Sequence, residues 1–96
     1  MKVITVCGSL KFRDEMMKIT EEMELQGNCM ISVIYPTDYY TDEQAEILDQ
    51  MHKEKIKMSD AILVVDVGGY IGSSTRSEIE FAKTLNKEII YYTDLI

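Results

Sequence analysis

Ninety-six residues suffice for one compact domain and are too few for two, so a single unit over residues 1–96 is expected. Ten basic against 17 acidic residues give a net charge of −7, which argues against a groove for polymeric nucleic acid, since such a groove needs clustered Lys and Arg. The 46 % hydrophobic fraction, with one proline and five glycines, excludes a disordered or linker-rich chain and points to regular structure with short connections.

Val3-Ile4-Thr5-Val6-Cys7 is β-branched and almost continuously apolar, the pattern of a strand buried on both faces. From Phe12 the period changes: Phe12, Met16, Ile19 and Met23 mark one apolar helix face, and Gly27 closes it as a left-handed C-terminal residue. Cys29 to Ile34 reads as a second strand, ended by Tyr35-Pro36. Thr41 then looks like an N-cap, with Asp42 and Glu43 in the first turn and Gln44 completing a capping box. That helix is predicted to run to about Met58, with Ala45, Leu48, His52 and Ile56 on one face. Ala61 to Val65 is the third strand, followed by a Gly- and Ser-rich loop and a helix from about Ser74 to Leu85. Glu88 to Tyr92 forms the last strand.

Strands alternating with helices imply an α/β fold, a parallel sheet of about four strands with right-handed crossovers and helices on both faces. Ligands of such sheets bind at the carboxyl ends of the strands, where strand order reverses, so the segments after the first and third strands are the places to look.

After the first strand comes Cys7-Gly8-Ser9-Leu10-Lys11. Gly8 permits a tight turn, the amides near Ser9 can donate to an anion, and Lys11 adds a charge. An ordinary capped turn explains the segment equally well. After the third strand, Asp66 leads into Gly68, Gly69, Gly72, Ser73, Ser74 and Thr75 around a helix start. Free amides and hydroxyls in that number suit a ligand rich in hydroxyl or phosphate oxygens, although a well-capped surface loop is the plain alternative. The spacing fits neither a Walker loop nor Gly-x-Gly-x-x-Gly.

Glu78 shares the helical phase of Ala82 and Leu85 and therefore faces inward, whereas Glu80 faces solvent. An inward carboxylate beside such a loop suits a nucleophile or an electrostatic stabiliser, or it simply complements the helix dipole. His52 is the only histidine, and a lone His on an apolar face is more often a hydrogen-bonded core residue than a catalyst. With no second His and no Cys pair, no metal and no other cofactor is expected. Cys7 and Cys29 both sit in apolar stretches and read as reduced core thiols, not a disulfide. No apolar run approaches the ~20 residues that cross a bilayer, and Met1-Lys2 leads straight into a strand, so a cytoplasmic protein with no membrane contact is expected.

Val6-Cys7-Gly8-Ser9, Ser59-Asp60 before the third strand, and the Gly/Ser loop leading to Arg76-Ser77-Glu78-Ile79 together resemble the nucleoside 2-deoxyribosyltransferase superfamily, which includes deoxynucleoside 5′-monophosphate N-glycosidases. The resemblance spans nearly the whole chain, though typical members are longer. It implies a Rossmann-like or flavodoxin-like homodimer or higher homo-oligomer acting on a nucleoside or nucleotide. In that pattern a helix-borne Glu, here Glu78, attacks C1′ of the sugar. Cys7, Gly8, Ser9, Lys11, Gly69, Ser73 and Ser74 would meet the substrate. The glycosidase branch has Arg where this chain has Lys11, which keeps the charge without bidentate geometry. Eight residues before Asp60, where the family carries a catalytic Asp that manages protons on the base, stands His52. Its imidazole exchanges protons near neutral pH, with Asp49 and Asp66 as neighbouring acids. A module that binds a nucleotide or nucleotide sugar without cleaving it is the alternative.

Overall fold

The apolar runs pair as the alternation requires. In the computed structural model, which describes Met1–Ile96, strands β1 (Val3–Gly8), β2 (Cys29–Ile31), β3 (Ala61–Val65) and β4 (Glu88–Tyr91) form one parallel sheet in the order β2-β1-β3-β4. Helices α1 (Arg13–Leu25), α2 (Asp42–Met58) and α3 (Ser73–Thr84) connect them, with three 3-10 turns at Leu10–Phe12, Val67–Gly69 and Tyr92–Asp94. The chain steps outward from β1 to β2 and then returns past β1 to β3, so strand order reverses beside β1. That reversal opens a crevice at the carboxyl ends of the strands.

Both faces of β1 and β3 are buried. Ile4, Val6, Leu63 and Val65 pack against Met16, Ile19 and Met23 of α1 on one face. Cys7, Ile62 and Val64 pack against Ile56 of α2 and Ile79 and Ala82 of α3 on the other. This two-sided burial is why the sequence of the central strands shows no polar alternation. At the amino ends, Asp60 Oδ2 accepts from the Val3 amide at 2.8 Å, and the Ser59 hydroxyl donates to the Lys55 carbonyl at 2.8 Å while hydrogen-bonding the Thr5 hydroxyl. The Ser59-Asp60 pair thus fastens β1 to β3 and to the end of α2, at the opposite edge of the sheet from the crevice.

Several boundaries differ from the sequence reading. β2 ends at Ile31, not Ile34, and the chain from Ser32 onward leaves the sheet. Phe12 belongs to the 3-10 turn preceding α1, and Leu85 caps α3 instead of continuing it. Cys29, expected in the core, is exposed because β2 is the edge strand; both thiols are free, as expected. Gly27 takes φ +94° after α1, and Thr41 and Gln44 make both bonds of the capping box that starts α2. No helix is long and apolar enough to cross a membrane.

Gly8 ends β1 where α1 approaches most closely. A Cβ there would lie 3.1 Å from Met16 Sδ and 3.2 Å from the Val65 carbonyl oxygen, the second a backbone atom that cannot swing aside. Gly8→Ala should therefore cost about 1–3 kcal/mol, the usual penalty of overpacking. Urea denaturation checks this, and an unchanged midpoint would show that the crevice floor has slack.

Candidate functional site

The crevice holds a cavity of about 490 Å³. One wall is apolar: Val33, Ile34 and Pro36 from the segment after β2, with Tyr40, Ala45 and Leu48 at the start of α2. The other is polar: Gly8 and Ser9 after β1, and Ser73, Ser74, Thr75 and Glu78 on α3. Asp49, His52 and Lys55 of α2 lie in the same lining. The volume and the division into apolar and polar walls suit a small molecule with a flat apolar part and a hydroxylated or anionic part.

The start of α3 is built to receive oxygen. Gly72 is its N-cap and offers no capping side chain, and the first helical bond runs from the Arg76 amide to the Gly72 carbonyl at 3.0 Å. The amides of Ser73, Ser74 and Thr75 precede that bond and point out of the helix end, where an anion is favoured.

Glu78 lies where its phase puts it. Its side chain is 13 % exposed, against 73 % for Glu80, which pairs with Lys83 in solvent. Glu78 Oε1 is 3.6 Å from His52 Nε2, and the same nitrogen is 3.4 Å from Cys7 Sγ. Cys7 sits behind the cavity lining, fully buried. Burial dominates the electrostatics of all three. It raises the Glu78 carboxyl from 4.5 to about 7, with Asp49 pushing the same way and a Cys7 hydrogen bond and Lys53 opposing. It lowers His52 from 6.5 to about 4, helped by Lys55 and opposed by Asp49. It pushes the Cys7 thiol well up, with Glu78 adding to the effect. Despite its short distance, the His52–Glu78 contact is therefore not an ion pair at neutral pH: desolvation keeps the ring uncharged and leaves the carboxyl about half ionised.

His52 accordingly combines both sequence readings, being a buried, hydrogen-bonded residue that also lines the cavity. The expectation that its imidazole exchanges protons near neutral pH does not survive its burial. The other sequence candidates divide. Gly8, Ser9, Ser73, Ser74 and Glu78 converge on the cavity. Asp66 does not. It is 5 % exposed, and its two carboxylate oxygens accept from the Thr93 amide at 3.0 Å and the Thr93 hydroxyl at 2.9 Å, so it fastens the segment after β4. Gly69 lies outside the lining and takes φ +81° in the turn after β3. Lys11 places its ammonium 3.3 Å from the centre of the Tyr70 ring, at the cavity rim, where the ring face holds the charge.

Sequence reasoning missed Lys55 and the Val33–Pro36 wall. Lys55 Nζ donates to the Ser32 carbonyl at 2.9 Å and so ties the post-β2 segment to α2. A short strand followed by a proline was the available signal for that wall.

Comparison with solved structures decides the architecture. A 2-deoxyribosyltransferase from Leishmania mexicana superposes with a TM-score of 0.73 over 96 % of this chain, at 15 % sequence identity. This chain has the fold of a 2-deoxyribosyltransferase. It spans 64 % of that enzyme's length. No protein-family model and no curated protein matches the sequence.

Proposed function

We propose that the protein cleaves or exchanges the N-glycosidic bond of a nucleoside or nucleoside 5′-monophosphate, with Glu78 as nucleophile. The observation that carries this reading is the single buried carboxylate on the polar wall, between the Gly8-Ser9 turn and the open start of α3. The likeness to a 2-deoxyribosyltransferase supports the same substrate class.

In this reading the base lies against Val33, Pro36 and Leu48, and sugar or phosphate oxygens meet the Ser9, Ser73 and Ser74 region. The ionised Glu78 attacks C1′ as the C1′–N bond breaks, and the base leaves with that electron pair. The departing base must gain a proton. His52 is uncharged at neutral pH and is a poor acid, so in this reading solvent supplies that proton. Water, or a second base, then releases the sugar from Glu78. Hydrolysis is preferred over transfer because holding a second base while excluding water demands a closed site.

The test is a panel of deoxynucleosides and their monophosphates, with free base measured by chromatography. Release of base is expected, and kcat/KM should climb from about pH 6 to about pH 8 as Glu78 ionises, its carboxyl titrating at about 7. Absence of any free base, with calorimetry recording saturable binding of intact ligand, would favour the non-catalytic binding module instead. The neutral His52 is the feature that favours that second reading.

Self-association belongs to the same reading. The outer surface of α2 leaves Ile47, Met51 and Met58 about half exposed or more, an apolar strip of the kind that partners cover. Light scattering should give a multiple of the 11.1 kDa chain mass at micromolar concentration; a mass equal to one chain would remove the oligomer from the proposal.

A further inference from the structure

Cys7, His52 and Glu78 are 45 and 26 residues apart in the chain and come from β1, α2 and α3. The fold nonetheless brings one donor atom of each within 4.8 Å of the other two. Two of these separations are 3.4 Å, between Cys7 Sγ and His52 Nε2, and 3.6 Å, between His52 Nε2 and a Glu78 oxygen.

Both contacts fall on the same ring nitrogen. A thiol-imidazole-carboxylate relay needs its partners on opposite nitrogens, one to accept the proton and the other to orient the ring. This cluster therefore cannot work as such a relay. Its three donor atoms instead crowd together, all within 4.8 Å of one another. A tetrahedral zinc ion, with bonds of about 2.3 Å to sulfur and about 2.0–2.1 Å to nitrogen and oxygen, holds its ligand atoms about 3.3–3.6 Å apart. The two separations of 3.4 and 3.6 Å match that spacing, and the third donor pair lies within 4.8 Å.

We propose that Cys7 Sγ, His52 Nε2 and the Glu78 carboxylate form a three-ligand site for a borderline-soft divalent cation of the zinc class, with its fourth position open to the cavity. A thiolate and a carboxylate balance the two charges of the ion, so the filled site is electrically neutral where it is buried. The thiol proton, and any proton on the carboxyl, pass to solvent as the metal bonds form, and no oxidation state changes. Sulfur and imidazole ligands select zinc and cobalt over magnesium and calcium, which prefer all-oxygen shells. On the reading of Glu78 as nucleophile, the filled site is an inhibited one, because the metal holds the attacking oxygen. Metal binding itself does not depend on that reading.

The experiment uses the full chain, reduced and stripped of metal with a chelator, then titrated with Co²⁺ and followed by absorption. The expected result is one Co²⁺ per chain, with a thiolate-to-cobalt charge-transfer band and the intense visible bands of tetrahedral cobalt. Zn²⁺ should bleach both, and Mg²⁺ should not. Cys7→Ser should abolish the charge-transfer band, Cys29→Ser should keep it, and Glu78→Gln should weaken Co²⁺ binding at least about tenfold. Wild-type protein without the band, a band surviving in Cys7→Ser, or a band lost in Cys29→Ser would each overturn the proposal. Circular dichroism establishes that each variant folds. If Cys7→Ser does not, Cys29→Ser and Glu78→Gln decide: a full-affinity site in Glu78→Gln overturns the proposal, and weakened binding there with an intact site in Cys29→Ser supports it. None of these readouts involves nucleoside turnover, so failure of the metal site and failure of the glycosidic reading are separable.

Discussion

Glu78→Gln should reduce base release on the order of 10³-fold or more while the fold persists, because the amide keeps the shape of the side chain and loses the charge that stabilises an oxocarbenium-like transition state. Glu80→Gln, two residues on and in solvent, should leave turnover within about twofold, its partner Lys83 being exposed as well. The contrast tests geometry as well as chemistry, since both residues are glutamates on one helix and differ only in phase. The readout is free base by chromatography, in chelator so that no metal competes for the carboxylate. Near-normal activity in Glu78→Gln would sink the nucleophile assignment and leave the binding module as the better account.

The second large effect is on stability, and it runs the other way. Glu78 titrates near 4.5 in an unfolded chain and at about 7 in the fold. Between those values the unfolded chain releases its proton first, so stability falls as pH rises, by about 3 kcal/mol in total. His52 titrates near 6.5 unfolded and at about 4 in the fold. There the unfolded chain takes up its proton first, so stability falls as pH drops from 6.5 to 4, again by about 3 kcal/mol. Across the shared window from 4.5 to 6.5 the two slopes oppose and nearly cancel. Glu78→Gln removes one of them. It should be about as stable as wild type near pH 4 and more stable by up to about 3 kcal/mol near pH 8. Urea denaturation of both proteins at the two pH values, in chelator, measures the difference. A variant less stable than wild type near pH 8 would show that the ionised carboxylate is well solvated in the fold. Functional groups held at a stability cost are a known trade, and on the proposed reading of Glu78 one substitution is expected to display both sides of it.

The sequence carried the architecture well because the central strands announce themselves. Val3 to Cys7 and Ala61 to Val65 lack polar alternation for the physical reason that both their faces are covered. The capping box at Thr41 and the left-handed Gly27 fixed two helix ends from local chemistry alone. Glu78 was found from helical phase, a property that survives without knowledge of tertiary contacts.

What the sequence concealed is of three kinds. Cys29 looked like core because its neighbours are apolar, but edge position is a property of strand order, not of composition. Asp66 sits at the mouth of β3 as expected, yet its side chain is claimed by Thr93, 27 residues later. The meeting of Cys7, His52 and Glu78 depends on three crossovers, so no local spacing rule for metal ligands could register it. Long-range convergence is what a fold adds to a sequence.

On the proposed reading, the placement of α2 has a consequence for the choice of base. Only His52 and Ile56 of this helix are buried, while Leu48 and Ala45, one and two turns nearer its start, line the cavity. Its carboxyl half is thus clamped to the sheet and its amino half overhangs the crevice like a cantilever. Widening the gap to admit a purine in place of a pyrimidine would flex helix backbone and the Val33–Pro36 wall, and would leave the packing of β1 and β3 untouched. On that reading ring size would be read by a part of the molecule that adjusts outside the core, and substitutions at Ala45 and Leu48 are expected to change selectivity while the fold persists.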